Sequence, residues 1–330
     1  MDANLTALVS MPSLLAACLL LALATAACTD TPPPSLPEGN AGIAARCPGD
    51  AGIENDPAVV FHDDFEHCSS AGDISKKWDV VTHVENMSIA EGPDNVSGGR
   101  RALELTVPMQ RESLSVEVGR NLAETRDVLF LRFYSKFQQG FEVPRTSVHN
   151  GGSISSRYYP GGSATPGKRA DGQNKFFVNL ETAMGGRRAS PSPGPLAVYI
   201  YHPEQRGDYG DRFFPTGLVQ PDTSVPHNFG PHFVPRPEVV PELGRWYCYE
   251  YMVKTNTPGE RDGRIACWVD GKLIADYPNL RLRDIGSLKI DRFGLCLYIA
   301  NNRLRENKKW YDDVVAATSY IGPQVAAGPK

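Results

Sequence analysis

The feature that most constrains this chain is a two-residue alternation of apolar and polar side chains, recurring in short runs after Asn55. Successive side chains of a strand point to opposite faces, so such runs read as half-buried β-strands. Ten stand out: Val59–Phe65, Arg101–Val107, Ser113–Val118, Val128–Phe137, Lys175–Glu181, Leu196–His202, Arg245–Lys254, Gly263–Val269, Ile290–Ile299 and Tyr311–Thr318. Few stretches carry a helical period; Asn121–Val128 reads as a short helical turn. Strands in series, without a repeat or a clear boundary, predict one all-β sandwich of two antiparallel sheets, although 330 residues would allow two domains.

Composition supports this. A net charge of −4 with 22% charged residues does not suit a nucleic-acid partner. The 31 glycines and 27 prolines imply many turns without reaching a disordered composition. Two long loops hold many of them, Glu142–Asp171 and Pro203–Gly244, the second with eight prolines. Loops of this length commonly form lids or binding walls.

The start of the chain reads differently. Leu14–Cys28 is an apolar run of 15 residues, shorter than the ~20 a membrane helix needs, and fits the core of a secretory signal. It ends Thr25-Ala26-Ala27-Cys28, which resembles a bacterial lipobox and implies lipidation of Cys28. The membrane would then be touched only through that anchor. The alternative is ordinary cleavage after Ala24-Thr25-Ala26. Both export the protein, to the cell envelope or beyond it. Residues 29–55, with Pro32-Pro33-Pro34, read as an extended tether, 56–323 as the folded domain and 324–330 as a tail. An exported chain permits disulfides, so Cys47 with Cys68 and Cys248 with Cys267 are candidate pairs, with buried free thiols the alternative. No cysteine–histidine spacing suggests zinc.

Several strands carry unusual polar residues on their second face. In Val128–Phe137, Arg132, Tyr134 and Lys136 share a parity opposite to Leu129, Leu131 and Phe133. Lys175, Asn179 and Glu181 share another, as do Tyr199 and Tyr201, and Arg292 and Tyr298. If these strands lie in one sheet, their second faces form a surface of rings, amides and cations. Rings match the apolar faces of sugars, and Arg and Lys match carboxylates. Tyr134, Lys136, Lys175, Asn179, Tyr199, His202 and Arg292 are therefore expected to bind an anionic polysaccharide. The alternative is a solvated face with cross-strand charge pairs.

Three stretches carry a family resemblance: His62-Asp63-Asp64-Phe65-Glu66 with Lys77-Trp78; Arg245-Trp246-Tyr247-Cys248-Tyr249-Glu250 through Asn256-Thr257-Pro258-Gly259 and Asp262-Gly263 to Trp268-Val269-Asp270-Gly271-Lys272; and Trp310-Tyr311-Asp312-Asp313-Val314-Val315. Together they resemble the concanavalin A-like jelly-roll polysaccharide lyases of the glucuronan- and alginate-lyase kind. The resemblance implies a β-jelly roll and β-elimination on a uronic acid. In that reaction a cation or amide neutralises the carboxylate, a base removes the C5 proton and a tyrosine protonates the leaving oxygen. It implies Arg132 and Lys136 as neutralisers, His149 as base, with His202 or Tyr201 next, and Tyr199, Tyr201 or Tyr298 as acid. No cofactor is required. A structural Ca²⁺ between the first and last strands would use Asp63 or Asp64 with Asp312 or Asp313. The Glu-x-Asp-x-x-Glu arrangement of retaining hydrolases is absent. The rival function is a non-catalytic carbohydrate-binding or lectin-like surface domain.

Overall fold

The computed structural model describes residues 32–143, 147–158, 166–183, 192–221 and 227–326, and these form the jelly-roll sandwich that the alternation requires. The signal, the lipobox and Cys28 lie outside the described residues, as do parts of both long loops and the last four residues.

One sheet runs, in spatial order, Lys272–Leu280, Gly263–Val269, Trp246–Lys254, Val128–Phe137, Asn307–Ala317, Ala102–Val107 and Met87–Ala90, with Val59–Asp63 also paired to Asn307–Ala317. The other runs Val219–Gln220, Asp211–Phe213, Leu196–Tyr201, Phe176–Thr182, Gly152–Ser156, Ile290–Ile299, Leu114–Arg126 and Val80–Thr82, with Val148–His149 also paired to Ile290–Ile299. Neighbouring strands are antiparallel; Trp246–Lys254 and Val128–Phe137, for example, pair from Trp246 opposite Lys136 to Lys254 opposite Val128. Leu129, Leu131 and Phe133 of the first sheet meet Val178, Leu180, Val198, Ile200, Leu295 and Leu297 of the second in the main core.

The first sheet carries an apolar cluster on its outer face as well as its core face. Phe130, Met252, Trp268 and Val315 lie on its outer face, where Ile43, Ala44, Ile53, Tyr320 and Ile321 cover them. Residues 34–55 are therefore packed structure and not a free tether. Their backbone is tied to the C-terminal segment by Ile43 N–H to Tyr320 O, Ala44 N–H to Ile321 O and Gly49 N–H to Val325 O. The fold thus extends past residue 323 as well.

This cover overturns part of the expected site. Arg132, Tyr134 and Lys136 do not share a sheet with Asn179 and Tyr199; they lie on the covered side. Arg132 is fully buried, pairs with Asp50 through both terminal nitrogens and also donates to Gly322 O and Asp313 O. The Tyr134 hydroxyl accepts from Gln324 N–H. Lys136 donates to Asp94 O and Asn95 Oδ1 and sits over the Trp310 ring. Each fastens a chain segment, and none reaches the groove described below.

Two further expectations change. Leu114–Arg126 stays a strand through the segment read as a helical turn; its polar second half pairs with Ile290–Ile299 across a bulge and carries little apolar alternation to reveal it. All five described cysteines are free. The register sets Cys267 opposite Tyr251, on the core face, whereas Cys248 lies on the outer face.

Removing one partner of a buried ion pair strands the other charge at a cost of about 3–5 kcal/mol. Arg132→Met should therefore lower unfolding free energy in urea by about that amount. A loss below about 1 kcal/mol would show that the pair does not hold the cover.

Candidate functional site

Among the described residues the outer face of the second sheet is covered at one end, where Tyr158 and Ala170 pack on Phe177, Tyr199 and Tyr201, and its polar residues converge beside that cover. Direct register partners set Arg212 beside Tyr199, Tyr199 beside Asn179, and Asn179 beside Ser153. A second row sets His149 beside Tyr298, and Tyr298 beside Ser115. The resulting groove includes a cavity of about 450 Å³ whose lining includes Glu117, His149, Ser153, Tyr158, Phe177, Arg292 and Tyr298.

His149 is placed by the residues after it. Asn150 is clamped to Phe176–Thr182: its Nδ2 donates to Thr182 Oγ1 at 2.8 Å, and its Oδ1 accepts Thr182 N–H at 3.0 Å. At Gly151 any Cβ would collide with Leu180 O, so only glycine lets the chain lie so close to that strand. Lys309 reaches across from the first sheet and donates to Asn150 O. The sequence His-Asn-Gly-Gly is therefore a mount for one imidazole.

That imidazole has a defined orientation. His149 Nδ1 lies 2.8 Å from Oε2 of the buried Glu181, an oxygen that also accepts from Asn179 Nδ2. The proton then sits on Nδ1, leaving Nε2 with its lone pair, the form a general base needs. The same carboxylate accepts Asn179 Nδ2 at 2.6 Å and Arg212 Nε at 3.4 Å. The His149 ring lies 4.6 Å from the Tyr199 ring and 5.4 Å from Tyr298.

Tyrosines and cations complete the wall. The Tyr199 hydroxyl donates to Tyr201 Oη at 3.3 Å and accepts Gly210 N–H. Burial, reinforced by Tyr201, raises its pKa well above the usual phenol range, so Tyr199 stays protonated at neutral pH. Lys175 Nζ lies 4.4 Å from the Tyr201 ring centroid and 5.0 Å from that of Tyr158. Burial, with Lys168 nearby, lowers Lys175 to about 8. The Arg212 guanidinium lies over Tyr199 at 4.9 Å. Arg292 is held by Glu117 at 2.8 Å, and burial raises Glu117 above its ordinary value.

Of the residues singled out in the sequence, His149, Lys175, Asn179, Tyr199, Tyr201, Arg292 and Tyr298 share this face. Arg132, Tyr134 and Lys136 do not. Neither does His202, which follows Tyr201 by one residue and so turns to the other side, against the core ring of Phe213 at 5.4 Å. Sequence reasoning missed Arg212, because the three-residue strand Asp211–Phe213 is embedded in the proline-rich stretch. It also missed Tyr158 and Phe177, whose rings stack at 4.3 Å. The parity of Phe177 with Asn179 was the available signal.

The expected calcium pair does not fit a cation. Asp63 accepts Phe65 N–H, Lys77 Nζ and Trp78 Nε1, so its oxygens are already occupied, one by an ammonium. Asp312 accepts the backbone N–H groups of Ser97, Gly98 and Asp313. The neighbouring pair fits better. Asp64 and Asp313 line one cavity with Glu54, His62 and Lys77, and Asp313 Oδ2 is buried without a hydrogen-bond partner.

With the geometry in place, solved structures show where the fold belongs. The chain is 15% identical to a mutant of the alginate lyase Aly36B in complex with an alginate trisaccharide, with a TM-score of 0.55 over 79% of this chain and 98% of that one. It is 13% identical to the marine PL-14 alginate lyase from Aplysia kurodai, with a TM-score of 0.55 over 79% and 99%. It is 12% identical to the alginate lyase vAL-1 from Chlorella virus, with a TM-score of 0.52 over 79% and 100%. The chain has the jelly-roll fold of these polysaccharide lyases, as the three motifs implied. No family model and no curated protein matches the sequence.

Lys309, beneath the groove floor, is pushed down to about 7 by burial. A lysine in the unfolded chain titrates near ~10.4. Between those values the unfolded chain binds the extra proton, so stability should fall as pH drops from about 10 to about 7 and then level off. Lys309→Met should flatten that slope in denaturant titrations taken across this range. An unchanged slope would place the proton elsewhere.

Proposed function

We propose that this protein is an exported lyase that cleaves a uronic-acid polysaccharide by β-elimination. One observation carries the reading: His149 lines the cavity with Nδ1 held by the buried Glu181, which leaves Nε2 as a base among tyrosine rings and cations. The reaction needs those parts together. Arg212 and Lys175 take the neutralising role first expected of Arg132 and Lys136, since they are the cations set against the tyrosine wall. They would bind the sugar carboxylate and stabilise the charge that develops as C5 loses its proton. His149 Nε2 removes that proton, and the Tyr298 hydroxyl protonates the leaving oxygen. Tyr158 and Phe177, which line the cavity, offer rings to the apolar faces of flanking sugars. Export and lipidation at Cys28 belong to the same proposal.

The test is to incubate the purified protein with alginate, glucuronan, heparin-like and ulvan-like polymers and to follow the ultraviolet absorbance of the unsaturated product. Absorbance should rise on at least one polymer. His149→Ala and Tyr298→Phe should each lower kcat by about 10²–10⁴-fold, the usual contribution of a positioned acid or base. Binding without new absorbance on any polymer would replace the lyase with a carbohydrate-binding domain. In cells, the protein should fractionate with membranes and Cys28→Ala should release it; release of the unaltered protein would remove the anchor.

We also propose a structural Ca²⁺ at Asp64 and Asp313. Oxygen ligands are what Ca²⁺ takes. Burial, with the carboxylates of Asp50 and Asp64 nearby, raises Asp313 above the ordinary carboxylate range, a cost a cation would relieve. Calcium should raise the melting temperature relative to chelator for the unaltered protein but not for Asp313→Asn. An equal rise in both would move the ion elsewhere.

A further inference from the structure

Beyond Tyr201, on the side turned away from the groove, two histidines and a glutamate converge. His202 and Glu204 leave the strand Leu196–Tyr201, and His227 arrives from the proline-rich stretch. One ligand atom from each lies within 4.8 Å of the others. His202 is 1% exposed, and the His227 side chain 7%. None of these residues belongs to the proposed lyase machinery.

The hydrogen bonding around them is incomplete in a specific way. His227 Nδ1 is buried without a partner. Its Nε2 lies 3.7 Å from Glu204 Oε2, beyond hydrogen-bond reach. A buried polar nitrogen without a partner costs free energy, and a native chain rarely leaves one so. The rings of Phe213 and Phe229, at 4.9 and 4.7 Å from the His227 ring, exclude water from much of its surface.

The surrounding contacts match an outer shell. His202 Nε2 faces Asp211 Oδ2 at 3.3 Å, a carboxylate that would orient the ring and fix its tautomer. Glu204 is gripped by the guanidinium of Arg261 from the hairpin of the first sheet. Ligating carboxylates are commonly held by such donors.

We propose that His202, Glu204 and His227 bind a divalent transition metal of the zinc type. Two imidazoles and one carboxylate suit zinc, which holds such ligands at about 2.0–2.2 Å and leaves a fourth position for water. Around a tetrahedral ion of that size, donor atoms stand about 3.4 Å apart, so the cluster, whose ligand atoms lie within 4.8 Å, closes by at most about 1.4 Å on binding. The metal would tie Glu204 to His227, near Gly210, whose N–H is bonded to Tyr199, and near Arg212. It would brace one wall of the groove without touching substrate.

The test uses the full chain, stripped with chelator and titrated with zinc by calorimetry, with cobalt as the spectroscopic probe. The expected result is one equivalent of zinc, a higher melting temperature, and visible cobalt absorption of four-coordinate intensity. His227→Ala should abolish the cobalt signal. Asp211→Asn, which changes only the outer partner, should weaken zinc by about 10–100-fold. Absence of saturable zinc binding by the unaltered protein would overturn the site. So would His227→Ala that keeps the original affinity and spectrum. Neither readout depends on lyase activity, so this proposal and the lyase reading fail separately.

Discussion

The first sheet carries apolar clusters on both its faces, and the rest of the structure follows from that constraint. A sandwich has room for one shared core, so a sheet with two apolar faces needs a second cover. The segment from Pro34 to Asn55 and the segment after Ala317 supply it, and Arg132 locks them down through Asp50 and Gly322 O. A buried guanidinium is tolerable there because its charge is met by a carboxylate and by carbonyls. The second sheet then provides the partly open face, and that is where the polar residues gather.

On that face a single buried carboxylate organises the chemistry. Glu181 accepts from a histidine, an amide and an arginine at once. Its charge fixes the tautomer of His149 and holds the Arg212 side chain over Tyr199. The lysine at position 309 works from behind, joining the first sheet to the turn that carries the histidine. Both devices are preorganisation: the geometry is set before a substrate arrives, by groups that do not react.

Much of this was legible from the chain. The alternation marked three strands with their observed ends, Val128–Phe137, Gly263–Val269 and Ile290–Ile299, because long buried runs leave little doubt about period. It missed Gly152–Ser156 and Lys272–Leu280, where small polar residues or a proline blur the period. Parity correctly grouped Lys175, Asn179 and Tyr199. It failed for Arg132, Tyr134 and Lys136 because parity says which face of a strand a residue takes, and not which sheet the strand joins. Sheet membership depends on long-range pairing, and so does the cover that turned three apparent ligand-binding residues into fasteners. Arg212 was hidden for the opposite reason: a three-residue strand is too short to show a period at all.

The packing of both chain segments on one outer face has a topographic consequence. The described fold begins and ends on the side opposite the groove, joined there by hydrogen bonds such as Ala44 N–H to Ile321 O. The groove and the two ends of the described fold therefore lie on opposite faces of the sandwich.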